Sequence, residues 1–304
     1  MTLRLRVAAV MVVALTTCAA PSEPGVEPTA RTPASDAFAQ PAAEPSAERL
    51  DAVLEGPLRA EDRAREIYRH PRETIGFFGL TPDMTVVEVL PGGGWYTRIL
   101  APYVGEDGAL IGLDYSLLTR ERMAGEAWSD EQRAFHLSFA EDFPAAARAA
   151  APDGVNVVGG YLFDAVPEEL LGTADAVLFI RALHNMRATS TMNGAIADAY
   201  ALLKPGGVVG VVQHRANPTA SAEYANGSRQ YLHEAEVIAA FEAAGFVLEE
   251  RSEINANPRD PANWPNGART LPPTLTLGLL NRDDYTAIGE SDRMTLRFRK
   301  PVGG

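Results

Sequence analysis

From Thr85 to Arg299 short apolar, β-branched runs alternate with segments of helical periodicity, and that alternation limits the fold more than any other feature. Runs of four to eight such residues read as buried strands, and apolar spacing of three and four reads as helix. Strands are expected at Thr85–Leu90, Ala109–Leu113, Val155–Val158, Ala176–Ile180, Val208–Gln213, Phe246–Arg251 and Met294–Arg299. Between them Tyr96–Tyr103, Ser116–Glu126, Ser129–Phe135, Glu168–Leu171, Thr189–Leu203 and Glu234–Ala244 read as helices. Ahead of the first strand, Ala47–Phe78 is helical in character, continuing past Pro57 and interrupted at Pro71. Such alternation implies an α/β protein with a mostly parallel, doubly wound sheet and helices on both faces. Ligands of these sheets lie beyond the carboxyl ends of the strands.

One loop at that edge has a composition suited to a cofactor: Glu88-Val-Leu-Pro-Gly-Gly-Gly-Trp-Tyr-Thr97. A strand ends in an acid, a glycine turn follows, and a helix begins, leaving backbone N–H groups free to meet a ligand. The dinucleotide fingerprint needs a third glycine three residues after the second. Here Gly92 and Gly94 are followed by Thr97, so it fails. A phosphate-binding Walker loop is also excluded, because no Gly-Lys-Ser/Thr follows. What remains is an acid, a glycine turn, and a second acid, Asp114, closing the next strand.

Three further stretches follow in order: Ala-Asp-Ala-Val-Leu-Phe-Ile-Arg-Ala-Leu-His184-Asn185, Leu-Leu-Lys204-Pro-Gly-Gly207, and Ser-Asp-Arg293-Met-Thr-Leu-Arg-Phe-Arg-Lys-Pro301. Together these pieces resemble class I S-adenosylmethionine-dependent methyltransferases. The likeness is nearer to a family of exported bacterial proteins described as predicted methyltransferases, and it runs from about Arg63 to Pro301. It implies a Rossmann-like class I methyltransferase fold with a seven-stranded, mostly parallel sheet and an antiparallel last strand. It also implies S-adenosyl-L-methionine as cofactor. Glu88 and the backbone of Gly92, Gly93 and Gly94 would border its methionine part, and Asp114 would accept from the ribose hydroxyls. Two departures stand out. Leu90, followed by Pro91, occupies the place of the pattern's first glycine, and Gly159-Gly160-Tyr161 replaces the acid after the third strand. Asp164 is the acid left to serve near the adenine. Read without the resemblance, Glu88 and Asp114 could equally cap their turns.

Methyl transfer from a sulfonium is an in-line displacement, so the protein chiefly positions the nucleophile and, where needed, removes a proton. His184, just past the fourth strand, is the candidate general base, or with Asn185 it lines the cleft. Arg181 is a candidate for fixing an anionic group, or for pairing with a local acid. The histidines have no metal-ligand spacing and Cys18 is the lone thiol, so no metal site is expected. No Gly-x-Ser-x-Gly elbow supports serine hydrolase chemistry.

Residues 1–18 have the parts of a signal peptide: Arg4 and Arg6, an apolar run from Val7 to Thr16, and Leu15-Thr-Thr-Cys18, which resembles a lipobox. Lipidation of Cys18 and plain cleavage near Ala20 are both open. Residues 19–46, rich in Pro, Ala, Ser and Glu, read as a disordered linker. Residues 47–304 form the methyltransferase-like domain, with 255–290 as a Pro-rich insertion or lid. The expected setting is the periplasm or cell envelope, with a lipid anchor as the one membrane attachment. Net charge is −13 and nothing basic is concentrated along the chain, so nucleic acid is not an expected partner. Two functions follow: a methyltransferase acting on a small molecule or envelope component, or a non-catalytic methyltransferase-like binding or assembly lipoprotein.

Overall fold

The computed structural model describes residues 44–303; Cys18, the signal sequence and most of the linker lie outside the described residues. The first helix, α1 (Glu44–Glu55), starts ahead of the boundary expected at 47. It is followed by α2 (Glu66–Arg69) and α3 (Pro71–Phe78), the latter ended by Gly79 in the left-handed conformation. The alternating region then runs β1 (Thr85–Val89), α4 (Thr97–Val104), β2 (Ala109–Asp114), α5 (Leu117–Ala124), α6 (Asp130–Leu137), α7 (Phe139–Ala150) and β3 (Val157–Leu162). After it come β4 (Ala174–Ile180), α8 (Leu183–Ala188), α9 (Met192–Leu202), β5 (Leu203–His214), α10 (Glu234–Ala243), β6 (Val247–Ser252), α11 (Arg282–Ile288) and β7 (Arg293–Arg299).

The seven strands form one sheet in the order β3-β2-β1-β4-β5-β7-β6. Strands β1 to β5 pair in parallel, and β7 runs antiparallel between β5 and β6. This is the Rossmann-like class I methyltransferase fold, with its antiparallel last strand. The strand order reverses between β1 and β4, so successive crossovers leave in opposite directions there and open a crevice at the carboxyl ends.

Period-two burial divides the strands between two cores. Val87, Val89, Val177, Phe179 and Val211 face α8, α9 and α10, together with Phe241 and Phe298. Val86, Leu110, Leu178 and Val212 face Phe78, Ile99, Leu100 and Phe143 of α3, α4 and α7. Burying each such side chain is worth about 1.5–3 kcal/mol, which is why the central strands read as unbroken apolar runs. Glu88 falls on the α4 side of the sheet, where its neighbours by period are apolar.

The structure corrects several element boundaries. The third strand is Val157–Leu162 rather than Val155–Val158, so Gly159-Gly160-Tyr161 lies within it and Asp164 is the first acid beyond its end. Helix α7 is unannounced in the sequence because Pro144 interrupts an Ala-rich segment; it packs where Gly112 and Gly160 leave room for Phe143. The six-residue α8 and the helix α11 in the insertion were not expected either. Strand β5 starts at Leu203, ahead of Lys204-Pro205-Gly206-Gly207, with a register shift against β4 before pairing resumes at Val208.

The insertion is tied down by buried polar contacts. Asp260 accepts from Tyr231 Oη at 2.8 Å, Trp264 Nε1 at 2.8 Å, and the backbone N–H groups of Ala262 and Asp292 at 2.9 Å each. Asn255 donates to Thr74 and Thr295 at 3.0 Å each, joining the insertion to α3 and β7. Among the described residues no helix is long and apolar enough to cross a membrane.

The tight packing of α3 on the sheet can be tested at Gly210 in β5. A Cβ there would stand 2.7 Å from Phe78 Cδ2 and 2.8 Å from Leu178 Cδ2. Gly210→Ala is expected to cost about 1–3 kcal/mol, read as a lower urea midpoint at unchanged m-value.

Candidate functional site

The turn after β1 is built on left-handed backbone. Leu90 has φ 56°, Gly92 φ 56° and Gly94 φ 72°. Leu90 therefore takes the conformation for which a glycine is usually needed, at a cost of about 1–2 kcal/mol for an L-residue. Its N–H donates to Leu113 O at 2.7 Å, which fixes the exit from β1 against β2. At the place of the pattern's first glycine the chain thus keeps a positive φ with leucine.

Side chains from α4 and from the helical region ahead of β1 hold the turn from outside. Arg98 forks onto Asp62 at 2.6 and 2.7 Å and donates to Gly93 O at 2.9 Å. Arg59, 1% exposed, donates to Trp95 O at 2.9 Å. The guanidinium groups of Arg59 and Arg69 both lie over the Trp95 ring, 4.4 and 4.5 Å from its centroid. Sequence reading did not single out these residues; their one signal was the density of arginine in Arg59–Arg69.

Glu88 is buried, and its Oε2 accepts from Thr97 Oγ1 at 2.8 Å. Burial pushes its carboxyl up to about 7, with the Thr97 bonds and Arg98 opposing. Asp114 is buried at the end of β2, and both its oxygens accept from Arg120 Nη2, at 2.5 and 2.6 Å. Its Oδ1 also accepts from Tyr115 N at 2.8 Å, and His136 Nδ1 is 4.0 Å from Oδ2. Asp164 is exposed and accepts from Leu117 N at 3.2 Å, which brings it to the start of α5 beside the Asp114 edge.

The end of β4 mirrors that of β1. Arg181 has φ 56°, and its N–H donates to Val212 O at 2.7 Å. Beyond it His184 is 7% exposed, with Nδ1 3.5 Å from Gln213 Nε2. An amide nitrogen can only donate, so Nδ1 accepts and the imidazole proton stands on Nε2. Burial drives His184 down to about 3. His214, its ring 5.5 Å away, is also pushed well down by burial, and its Nδ1 lies 2.5 Å from Ser291 Oγ. Asn185 donates to Tyr115 Oη at 3.2 Å, and that hydroxyl donates to Ala182 O at 2.8 Å.

A cleft of about 350 Å³ joins the two strand ends. Leu90, Pro91, Gly92 and Gly93 border it from β1, Arg181, His184 and Asn185 from β4, and Ala268–Arg269 with Pro272–Thr274 from the insertion. Of the residues expected at the site, the cleft brings together Gly92, Gly93, Arg181, His184 and Asn185. Glu88, Gly94, Asp114 and Asp164 are not on its lining. A larger groove of about 1020 Å³ beside α10 reaches neither strand end.

No protein-family model and no curated protein matches this chain. Similar solved structures include the 4+2 cyclase SpnF, 17% identical over 82% of this chain and 86% of that one, with a TM-score of 0.47. A Haloferax volcanii complex containing the Trm112 methyltransferase activator is similar at 16% identity, 85% and 99% coverage, and a TM-score of 0.46. A methyltransferase from Aquifex aeolicus that depends on S-adenosylmethionine is similar at 16% identity, 84% and 98% coverage, and a TM-score of 0.43. Identities this low assign no residue a role.

The backbone demand at Leu90 reverses the usual ranking of substitutions. Leu90→Gly relieves left-handed strain while losing some packing, and is expected to stay within about 1 kcal/mol of the parent. Leu90→Ile keeps the apolar volume but puts a β-branched residue at positive φ, and is expected to lose more than the glycine variant in thermal denaturation.

Proposed function

We propose that the domain is an S-adenosylmethionine-dependent methyltransferase acting on a small-molecule or envelope acceptor. The observation that carries this reading is the turn after β1. It keeps a glycine-type path at Leu90, starts from the buried Glu88, and opens at the point where the sheet reverses strand order. The residues there suit the cofactor. The free N–H groups of Gly92 and Gly93 are proposed to border its methionine end, with Glu88 buried behind them; the Gly94 N–H is already given to Pro91 O at 3.0 Å. Asp114 Oδ2 is bonded to Arg120 alone and keeps an acceptor position for a ribose hydroxyl. Asp164, beside the start of α5, is the acid proposed near the adenine.

When bound, the cofactor supplies an electrophilic methyl group and a neutral thioether leaving group. The chain's part is positioning. His184 is neutral at physiological pH and too weak a base to match general-base work near neutrality, so its proposed role is to orient the acceptor through Nε2–H. Asn185, anchored on Tyr115, stiffens the same loop. Such a site suits an acceptor that needs no proton removed.

A second reading, a methyltransferase-like binding or assembly module, draws support from Arg120 closing on Asp114. Calorimetry with S-adenosylmethionine and S-adenosylhomocysteine separates the two. Micromolar binding is expected, with Asp114→Ala weakening it at least tenfold, about 1.4 kcal/mol. Affinity should rise as pH passes through about 7, because ionised Glu88 favours the cofactor's cationic end, and Glu88→Gln should flatten that rise. Absence of binding at millimolar ligand leaves the second reading.

We further infer export with a lipid anchor on Cys18, supported by Arg4, Arg6 and the apolar run before Leu15-Thr-Thr-Cys18. Labelled palmitate should enter the protein in bacterial culture and be lost in Cys18→Ala. An unlabelled protein beginning near Ala20 points instead to plain cleavage.

A further inference from the structure

The wall of the cleft is cationic to a degree that the chain's net charge of −13 conceals. Arg65, Arg69, Arg181, Arg269 and Arg293 all line it. A single buried carboxylate, Glu290, serves three of them: Arg65 at 2.6 Å, Arg69 at 3.5 Å, and Arg293 in a direct ion pair. Glu290 lies behind the lining, and the one acid on the lining itself, Asp62, has both oxygens engaged by Arg98. Arg181 and Arg269 have no ion-pair partner among the described residues. Of these five guanidinium groups Glu290 thus pairs with three, and two are left without an ion pair among the described residues.

The hydrogen bonding is incomplete in the same sense. Arg69 and Arg293 are each 2% exposed, and Arg69 Nη2 and Arg293 Nε have no partner. Arg65 Nη2 is also buried without one. An unpaired buried charged donor is costly to keep, and guanidinium groups match the geometry of carboxylate and phosphate oxygens. The strain appears in the charges as well. Burial and the Arg181 charge push Arg69 down, with Glu290 partly restoring it, and burial and Arg293 push Arg181 down. Burial alone would raise Glu290, yet Arg293, Arg69 and Arg65 hold it at about 2, so it stays ionised and remains insufficient.

We propose that this cleft binds a multivalent oxyanion, a phosphate or a polycarboxylate, carried by the acceptor molecule and seated on Arg69, Arg181 and Arg293. Arg269, exposed on the insertion, lines the same cleft. The proposal deepens the methyltransferase reading and rests on it for the word acceptor. S-adenosylmethionine carries a sulfonium, an ammonium and one carboxylate, hence a net positive charge. Its single carboxylate leaves most of the arginine charge unmatched, and its arrival beside them adds to the excess. A second, anionic molecule restores balance and brings electron-rich oxygen to the crevice between β1 and β4.

The test is titration calorimetry of the full chain with inorganic phosphate and with citrate, each with and without saturating S-adenosylhomocysteine. Submillimolar binding of at least one anion is expected, retained or strengthened when S-adenosylhomocysteine is present. Arg181→Met, which breaks no ion pair among the described residues, should weaken the anion about tenfold or more and leave S-adenosylhomocysteine affinity within about twofold. Arg269→Ala, on an exposed residue, should weaken the anion about threefold without altering the thermal midpoint. Failure of both anions to bind at about 10 mM overturns the proposal. So does mutual exclusion with S-adenosylhomocysteine accompanied by an equal loss of both in Arg181→Met, which would make the cofactor's own carboxylate the occupant. Anion binding without any S-adenosylhomocysteine binding keeps the oxyanion site and removes the methyltransferase reading alone.

Discussion

Strands β1 and β4 lie side by side at the centre of the sheet and must leave it in opposite directions. Each does so through a single left-handed residue whose N–H is bonded to the next strand out: Leu90 to Leu113 O and Arg181 to Val212 O, both at 2.7 Å. The positive φ turns the chain sharply away from the strand while the hydrogen bond holds the turn in register. Between these two exits the crevice opens. Everything proposed about ligands depends on that backbone geometry, because it delivers the glycine turn from one side and Arg181, His184 and Asn185 from the other.

Around this crevice the chain accepts polar burial that a purely structural sheet edge would avoid. Glu88 is kept in an apolar layer with Thr97 as its main partner, and its carboxyl titrates near neutrality as a result. His184 and His214 are buried face to edge and held neutral. Arginines outnumber the acid that serves them. Costs of this kind concentrate at functional sites, where the same groups gain from a ligand what they lose in the free protein. The insertion contributes a wall rather than a loose flap, since Asp260 and Asn255 fasten it to Tyr231, Asp292, Thr74 and Thr295.

Much of the architecture was legible because buried parallel strands leave apolar β-branched runs that local pattern alone can recognise: Thr85–Leu90 and Ala176–Ile180 fall within a residue or two of the observed Thr85–Val89 and Ala174–Ile180. The misses have local causes. Pro144 masks α7, six residues are too few for α8 to display a period, and Gly159-Gly160 hides the middle of β3. At the site, Glu88, Asp114 and Arg181 could be placed at strand ends from spacing. Their partners could not be. Arg120 on Asp114 joins residues six apart, but Arg65 and Arg69 meet Glu290 from more than two hundred positions away. Charge averaged along the chain gives no hint of a cationic cleft.

By itself, then, the sequence determined the alternation of strand and helix, the glycine turn after Glu88, and the set of residues at the sheet's carboxyl edge, because each is written in neighbours a few residues apart. Tertiary structure alone decided that Leu90 could serve where glycine is usual, that Asp114 is met by Arg120, and that His184 is neutral. It also decided that arginines from in and just ahead of α2, from the residue after β4, from β7 and from the insertion share one wall. Those outcomes depend on burial and on distances between remote segments, and both exist only once the sheet has closed its two cores.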